Sequence, residues 1–167
     1  MTVPSIRLLL GLFALTGILS LHAAPLLGKY QKHFAGRWVG GSHGNIVYKV
    51  YAPKKVARTA SLPVVIYLHG SAKCGTDNIK QTKVAVPASF VRNFPQHPCI
   101  LIAPQCDHGQ AWMTRSGDSV LSLLQDFLKE VKVADPKRVY LIGDSAGGHL
   151  VSLAAALGDG PYARMGG

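Results

Sequence analysis

Three short apolar runs constrain this chain more than any other feature. Leu62–Leu68 (Leu-Pro-Val-Val-Ile-Tyr-Leu), Cys99–Ala103 (Cys-Ile-Leu-Ile-Ala) and Arg138–Ile142 (Arg-Val-Tyr-Leu-Ile) are nearly continuous in apolar residues and rich in β-branched ones. A strand with one wet face alternates polar and apolar. An unbroken run suits a strand covered on both faces, as in a parallel sheet. Gly70, Pro104 and Gly143 close the runs. An alternating strand over Asn45–Tyr51 precedes them, with Ile46, Tyr48 and Val50 on one side and Val47, Lys49 and Tyr51 on the other.

Helical spacing lies between the strands. Val120, Leu121, Leu124, Phe127, Leu128 and Val131 recur at three- and four-residue steps, predicting a helix over Ser119–Val133. Ser116 or Asp118 is its expected cap and Asp135-Pro136 its stop. Ala146–Leu157 reads as a second helix closed by Gly158, and Val84–Phe94 as a weak one interrupted by Pro87. Strands alternating with helices give an α/β fold, a mostly parallel sheet flanked by helices.

Gly143-Asp144-Ser145-Ala146-Gly147 follows the last run and opens a helix. Gly-x-Ser-x-Gly in that setting is a nucleophile elbow, a tight turn with the serine at its apex. Gly143 and Gly147 keep side chains out of the crossing, and Gly148 is expected to widen the clearance. The Ala146 N–H at the helix start is the first candidate donor to an oxyanion. His69-Gly70-Ser71-Ala72 ends the first run, where this architecture supplies the second donor. Ser71 N–H is the first choice and Ala72 the second. Gly70 allows close backbone approach, and His69 reads as a brace for the loop rather than a base.

Together these segments resemble the α/β-hydrolase superfamily. More narrowly, they resemble the secreted carboxylesterase and predicted-peptidase group related to dienelactone hydrolases, feruloyl esterases and polyhydroxybutyrate depolymerases. Tyr48–Pro53, Leu62–Gly70, Gly75-Thr76-Asp77-Asn78, Ala103-Pro104-Gln105-Cys106 with Trp112 downstream, and Asp135–Tyr140 leading into the elbow carry the resemblance. It spans about residues 45–157. The chain departs from the group at Ala72-Lys73-Cys74, where relatives tend to carry Gly-Glu-Arg. The hormone-sensitive-lipase-type His-Gly-Gly-Gly loop is missing. The resemblance implies a serine hydrolase acting on small-molecule or polymer-linked carboxylic esters through a covalent acyl-enzyme. A peptidase on the same scaffold is the alternative.

In that architecture the acid and then the histidine follow the serine. Only residues 146–167 follow Ser145, and they hold Asp159 as the one acid and His149 as the one histidine, a single turn from the serine. His149 is a poor candidate base, and His108 a candidate substrate contact. His33, His43 and His97 read as solvated, and Asp77 and Asn78 as loop braces. Asp144, inside the elbow, cannot orient a distant imidazole. The chain therefore reads as a C-terminally truncated hydrolase, with its acid and histidine expected beyond residue 167. An exposed apolar sheet edge, and hence aggregation or partial melting, is the expected consequence.

Met1–Ala24 reads as a secretory signal peptide: Arg7, an apolar stretch over Leu8–Leu21, then Ala23 and Ala24. A retained anchor is the alternative. Residues 25–167 form the hydrolase portion, expected to be secreted or periplasmic with no membrane contact after cleavage. Export would allow cysteine pairing. Cys74 and Cys106 both follow predicted strands and are placed to face each other across one end of the sheet. Cys99 opens a strand and reads as a buried free thiol. All three single-bridge pairings remain open, and none of the three has metal-ligand spacing. No metal, nucleotide or flavin signature is present. A net charge of +10 is spread thinly, with no basic run longer than Lys54-Lys55, which argues against nucleic-acid binding. A non-catalytic exported module stacking polysaccharide on Trp38, Tyr51 and Trp112 is the reading from another class.

Overall fold

A computed structural model describes residues 25–107, 112 and 115–156. The proposed signal peptide, His108 and the chain after Ala156 lie outside the described residues. Five strands form one mixed sheet: β1 (Val39–His43), β2 (Ile46–Tyr51), β3 (Leu62–Leu68), β4 (Ile100–Gln105) and β5 (Ala134–Gly143), in the order β1-β2-β4-β3-β5. β3 pairs in parallel with β4 and β5, while β2 pairs antiparallel with β1 and β4. The helices are α1 (Ala85–Asn93), α2 (Arg115–Glu130) and α3 (Ala146–Ala156). Among the described residues no helix is long and apolar enough to cross a membrane.

Two of the apolar runs, in β3 and β4, lie inside this sheet with both faces covered. The run in β5 stands at its edge among the described residues and leaves Tyr140 exposed, contrary to the expectation of a strand covered on both faces. Val64, Ile66, Leu68, Ile100 and Ile102 pack with Val120, Leu123, Leu124 and Phe127 of α2 in one core. Val65, Tyr67, Cys99, Leu101 and Ala103 pack on the other face against Val86 and Phe90 of α1, with Phe94 just past its end. Pro87 sits in the first turn of α1, where a helix makes no use of an N–H, so it does not interrupt the helix.

Several boundaries differ from the sequence reading. β1 was not expected, because Val-Gly-Gly-Ser-His has little strand character. It forms by pairing back on β2 through the tight turn at Gly44-Asn45, with Gly44 at φ +56°. Pro104 does not end β4. The β3 ladder stops at Ile102, so at Pro104 the strand is partnered on the β2 side alone, and a missing N–H is tolerated. α2 starts at Arg115, which places Ser116 and Asp118 inside the helix rather than at its cap. It ends at Glu130, before Asp135-Pro136, because the Lys132 N–H turns away to Leu26 O at 2.9 Å. Asp135–Arg138 instead loops out of β5 between the Leu62–Ala134 and Val64–Val139 pairs. There Asp135 accepts hydrogen bonds from Arg138 Nε (2.7 Å), Lys137 N (2.9 Å) and Ser61 Oγ (2.9 Å). These hold its carboxyl down at about pH 2.

Candidate active site

The carboxyl ends of β3, β4 and β5 share one end of the sheet, and the chemistry-bearing residues gather there. β5 ends at Gly143 and α3 starts at Ala146, leaving two residues for the reversal. Asp144 N–H binds Leu68 O at 3.0 Å, tying the turn to the end of β3. Ser145 stands exposed at the apex with φ +50°, one of two non-glycine residues in the left-handed region among those described. That conformation costs an L-residue about 1–3 kcal/mol. Gly147 N–H to Asp144 O (2.9 Å) and His149 N–H to Ser145 O (3.0 Å) hold it in place.

The two motif glycines are there for room. A Cβ on Gly147 would run into the Leu68 carbonyl, and one on Gly143 into the Gly147 backbone. Gly148 is different. A Cβ there meets Gly143 O at 3.4 Å, an ordinary contact, so the clearance expected of it is not needed. Ala146 is the first residue of α3, so helix geometry leaves its N–H without an intrahelical acceptor.

The loop after β3 closes onto this turn. A Cβ on Gly70 would sit 3.1 Å from Ser145 Cβ, so the Gly70 backbone passes directly against the serine. Ser71 and Ala72 then open a 3-10 turn, Ser71–Lys73, and both are exposed. Lys73 N–H binds Gly70 O and Cys74 N–H binds Ser71 O, which leaves the first N–H groups of the turn unused within it.

His69 is buried beneath the loop. Its Nδ1 donates to Gly70 O at 2.8 Å and its Nε2 accepts the Cys106 N–H at 3.2 Å. Trp112 Nε1 donates to His69 O at 2.8 Å, with the two rings 4.8 Å apart and edge to face. That hydrogen-bond pattern needs a neutral ring. Burial also drives its pKa below the ordinary imidazole value, with the Gly70 carbonyl opposing and the Lys73 charge assisting. With both nitrogens engaged, His69 is not available to Ser145. Exposed His149 lies one turn along α3, and no described histidine is hydrogen-bonded to Ser145.

Solved structures resemble this arrangement. Over 80% of its length the chain matches 40% of a thermostable esterase, at 24% identity and a TM-score of 0.67. Over 74% it matches 39% of an ester-hydrolase from the metagenome of Lake Arreo, bound to a derivative of bipyridine phosphonate, at 23% and 0.50. Over 78% it matches 39% of vibralactone cyclase, at 19% and 0.50. The chain has the α/β-hydrolase fold. It spans about two-fifths of the length of those structures. No family model and no curated protein sequence matches it.

Within the α/β-hydrolase fold, a sheet that binds ligands does so outside the carboxyl ends of its strands. A large cleft of about 940 Å³ lies elsewhere. It runs past the start of β3, Cys99 before β4, and Arg138 and Tyr140 of β5, on the α1 side of the sheet. The elbow does not line it.

Sequence reading undervalued Gln105. Its side chain is buried and joins three parts of the loop 71–82. Nε2 donates to Lys73 O (3.0 Å) and Asp77 Oδ1 (3.1 Å), while Oε1 accepts the Asn78 N–H (2.6 Å). Asp77 also accepts the Ile79 and Lys80 N–H groups. These two bonds are the chief reason its carboxyl is held well below the usual range. Asn78, at φ +53°, donates from Nδ2 to Tyr48 O. A glutamine ending an apolar run was the available signal.

The fold also joins groups that spacing kept apart: donor atoms of His69, Cys74 and Cys106 lie within 4.8 Å of one another. The three aromatic residues of the binding-module reading pack instead. Trp112 is buried, and Trp38 lies edge-on to Tyr51, which in turn meets Phe94.

Proposed function

We propose that this chain carries the nucleophile and oxyanion site of a secreted serine hydrolase acting on carboxylic esters. The carrying observation is Ser145: exposed, at φ +50°, between a parallel strand and a helix N-terminus, with the Gly70 backbone against it. Ser145 Oγ attacks the acyl carbon, the ester C–O bond breaks, the alcohol leaves with the proton that Oγ gave up, and the acyl-enzyme remains. As the carbonyl oxygen gains charge, the Ala146 N–H meets it from the positive end of α3, and the Ser71 N–H meets it from the β3 loop. His69 and Gly70 position that loop. Water then releases the acid.

Attack needs a base to take the Oγ proton. In this fold the acid and then the histidine follow the serine in chain order, and no described histidine is hydrogen-bonded to Ser145. The solved proteins that share the fold include an esterase and an ester-hydrolase, which favours ester over amide substrates. The test is fluorophosphonate labelling of the protein purified from its native source. Label is expected on Ser145, and Ser145→Ala is expected to lose labelling and about 10⁴–10⁶-fold in ester turnover. Equal labelling or turnover in the variant would overturn the proposal.

A further inference from the structure

Two cysteines lie beneath the loop that carries Ser71. Cys74 follows the 3-10 turn and Cys106 follows β4, and their Sγ atoms are 2.9 Å apart. Two hydrogen bonds, one between backbone groups and one from a side-chain amide, fix that proximity from both sides. Gly75 N–H donates to Cys106 O at 2.9 Å, and Gln105 Nε2 donates to Lys73 O at 3.0 Å. The neighbours of each cysteine are thus tied to the neighbours of the other. A disulfide needs its sulfurs at about 2.05 Å, so closing the gap takes less than one ångström of side-chain movement.

The third thiol is elsewhere. Cys99 is buried among Val65, Tyr67, Leu101 and Ala103 on the α1 face of the sheet, whereas Cys106 belongs to the core on the α2 face, with Cys74 packed against it. The sheet separates Cys99 from both. Of the three pairings open in the sequence, the fold permits one.

We propose that Cys74 and Cys106 are a modification site: they close into a disulfide that staples the Ser71–Lys73 turn to the end of β4. Cys74 is half-buried and Cys106 fully buried, so an oxidant reaches Cys74 first. The oxidant is a small disulfide such as oxidised glutathione. The Cys74 thiolate attacks it, forming a mixed disulfide and releasing one glutathione thiolate. Cys106, having given up its proton, then attacks Cys74 Sγ and expels the second glutathione. Two protein thiols lose two electrons and two protons, and one glutathione disulfide becomes two glutathiones. Burial and the neighbouring Cys74 thiol push the Cys106 thiol upward, consistent with its acting second.

A metal ion is the competing use of these atoms. His69 would be its third ligand, but Nδ1 is committed to Gly70 O and the Nε2 lone pair to the Cys106 N–H. The bond's effect on an oxyanion donor rests on the function proposed above; the bond itself does not.

The test counts thiols in the 167-residue chain after exposure to reduced or oxidised glutathione, by alkylation in denaturant and mass spectrometry. The reduced chain is expected to take three alkyl groups and the oxidised chain one, on Cys99, with the Cys74 and Cys106 peptides linked. Cys106→Ala is expected to trap glutathione on Cys74, whereas Cys74→Ala takes none at Cys106. Oxidation is expected to raise the midpoint of thermal unfolding by about 5 °C or more. Three free thiols after oxidation, a link to Cys99, a lasting glutathione adduct on the unsubstituted chain, or retained zinc shielding both thiols would each overturn it. Thiol counts are read without substrate, so failure of the esterase reading leaves them unchanged.

Discussion

At the elbow, single atoms decide what the chain can accept. Gly147 faces the Leu68 carbonyl, which belongs to a central strand and has no freedom to withdraw. Gly147→Ala is therefore expected to cost at least about 3 kcal/mol, the upper end of ordinary overpacking. Gly148 lies next to it on the same helix and carries no such restriction. Gly148→Ala is expected to be neutral or to stabilise by up to about 1 kcal/mol, since alanine is the better helix former. Denaturant melts of the two variants check the contrast. Equal losses would mean that the turn is looser than its backbone contacts indicate. Gly147 closes the pentapeptide and Gly148 follows it, so reading the sequence assigns both a share in the clearance. The crossing of α3 over β3 confines that demand to Gly147.

The loop over residues 71–82 shows at the level of elements what sequence can and cannot reveal. Its flanking strands were legible, because Leu62–Leu68 is covered on both faces and the burial that selects its apolar residues also marks it as a strand. The elbow was legible because its glycines answer a local steric demand. The brace from Gln105 was not, since a glutamine declares its partners only once β4 lies beside the loop. β1 was illegible for a similar reason: its stability comes from pairing on β2 and hardly at all from its own residues. Removing the brace is expected to free the loop without unfolding the sheet. Gln105→Leu leaves the Asn78 N–H and Lys73 O without their partners, at a cost of about 1–2 kcal/mol for two part-buried groups that water can reach in part. Hydrogen exchange should quicken across residues 71–82 while β3 and β4 stay protected. Uniform loss of protection would show instead that Gln105 supports the whole core.

For the molecule as a whole, the sheet edge and the buried histidines set its behaviour in solution. Among the described residues β5 pairs only with β3, and Tyr140 on it is 45% exposed. Such an edge invites pairing between copies, and Tyr140→Lys is expected to reduce concentration-dependent light scattering. Acid acts through the interior. His33 and His69 are both buried, and burial is the main cause holding each below the usual imidazole value. The unfolded chain therefore takes up these protons first. Both states are neutral above about pH 6.5, so stability there is undiminished. It falls as pH drops below that value, by at most about 1.4 kcal/mol per pH unit for each histidine, and levels off below the folded-state values. Below about pH 4 the carboxylates of Asp77, Asp126 and Asp135 add a further loss, because each is held low in the fold by its hydrogen bonds. His33 packs on the Tyr48 ring at 5.6 Å, so His33→Phe keeps the shape and removes one proton site. Thermal melts from pH 7.5 to 5 should show the unfolding midpoint of the unsubstituted chain dropping, with a shallower fall for His33→Phe. A flat profile in the unsubstituted chain would mean that both imidazoles accept protons without leaving the core.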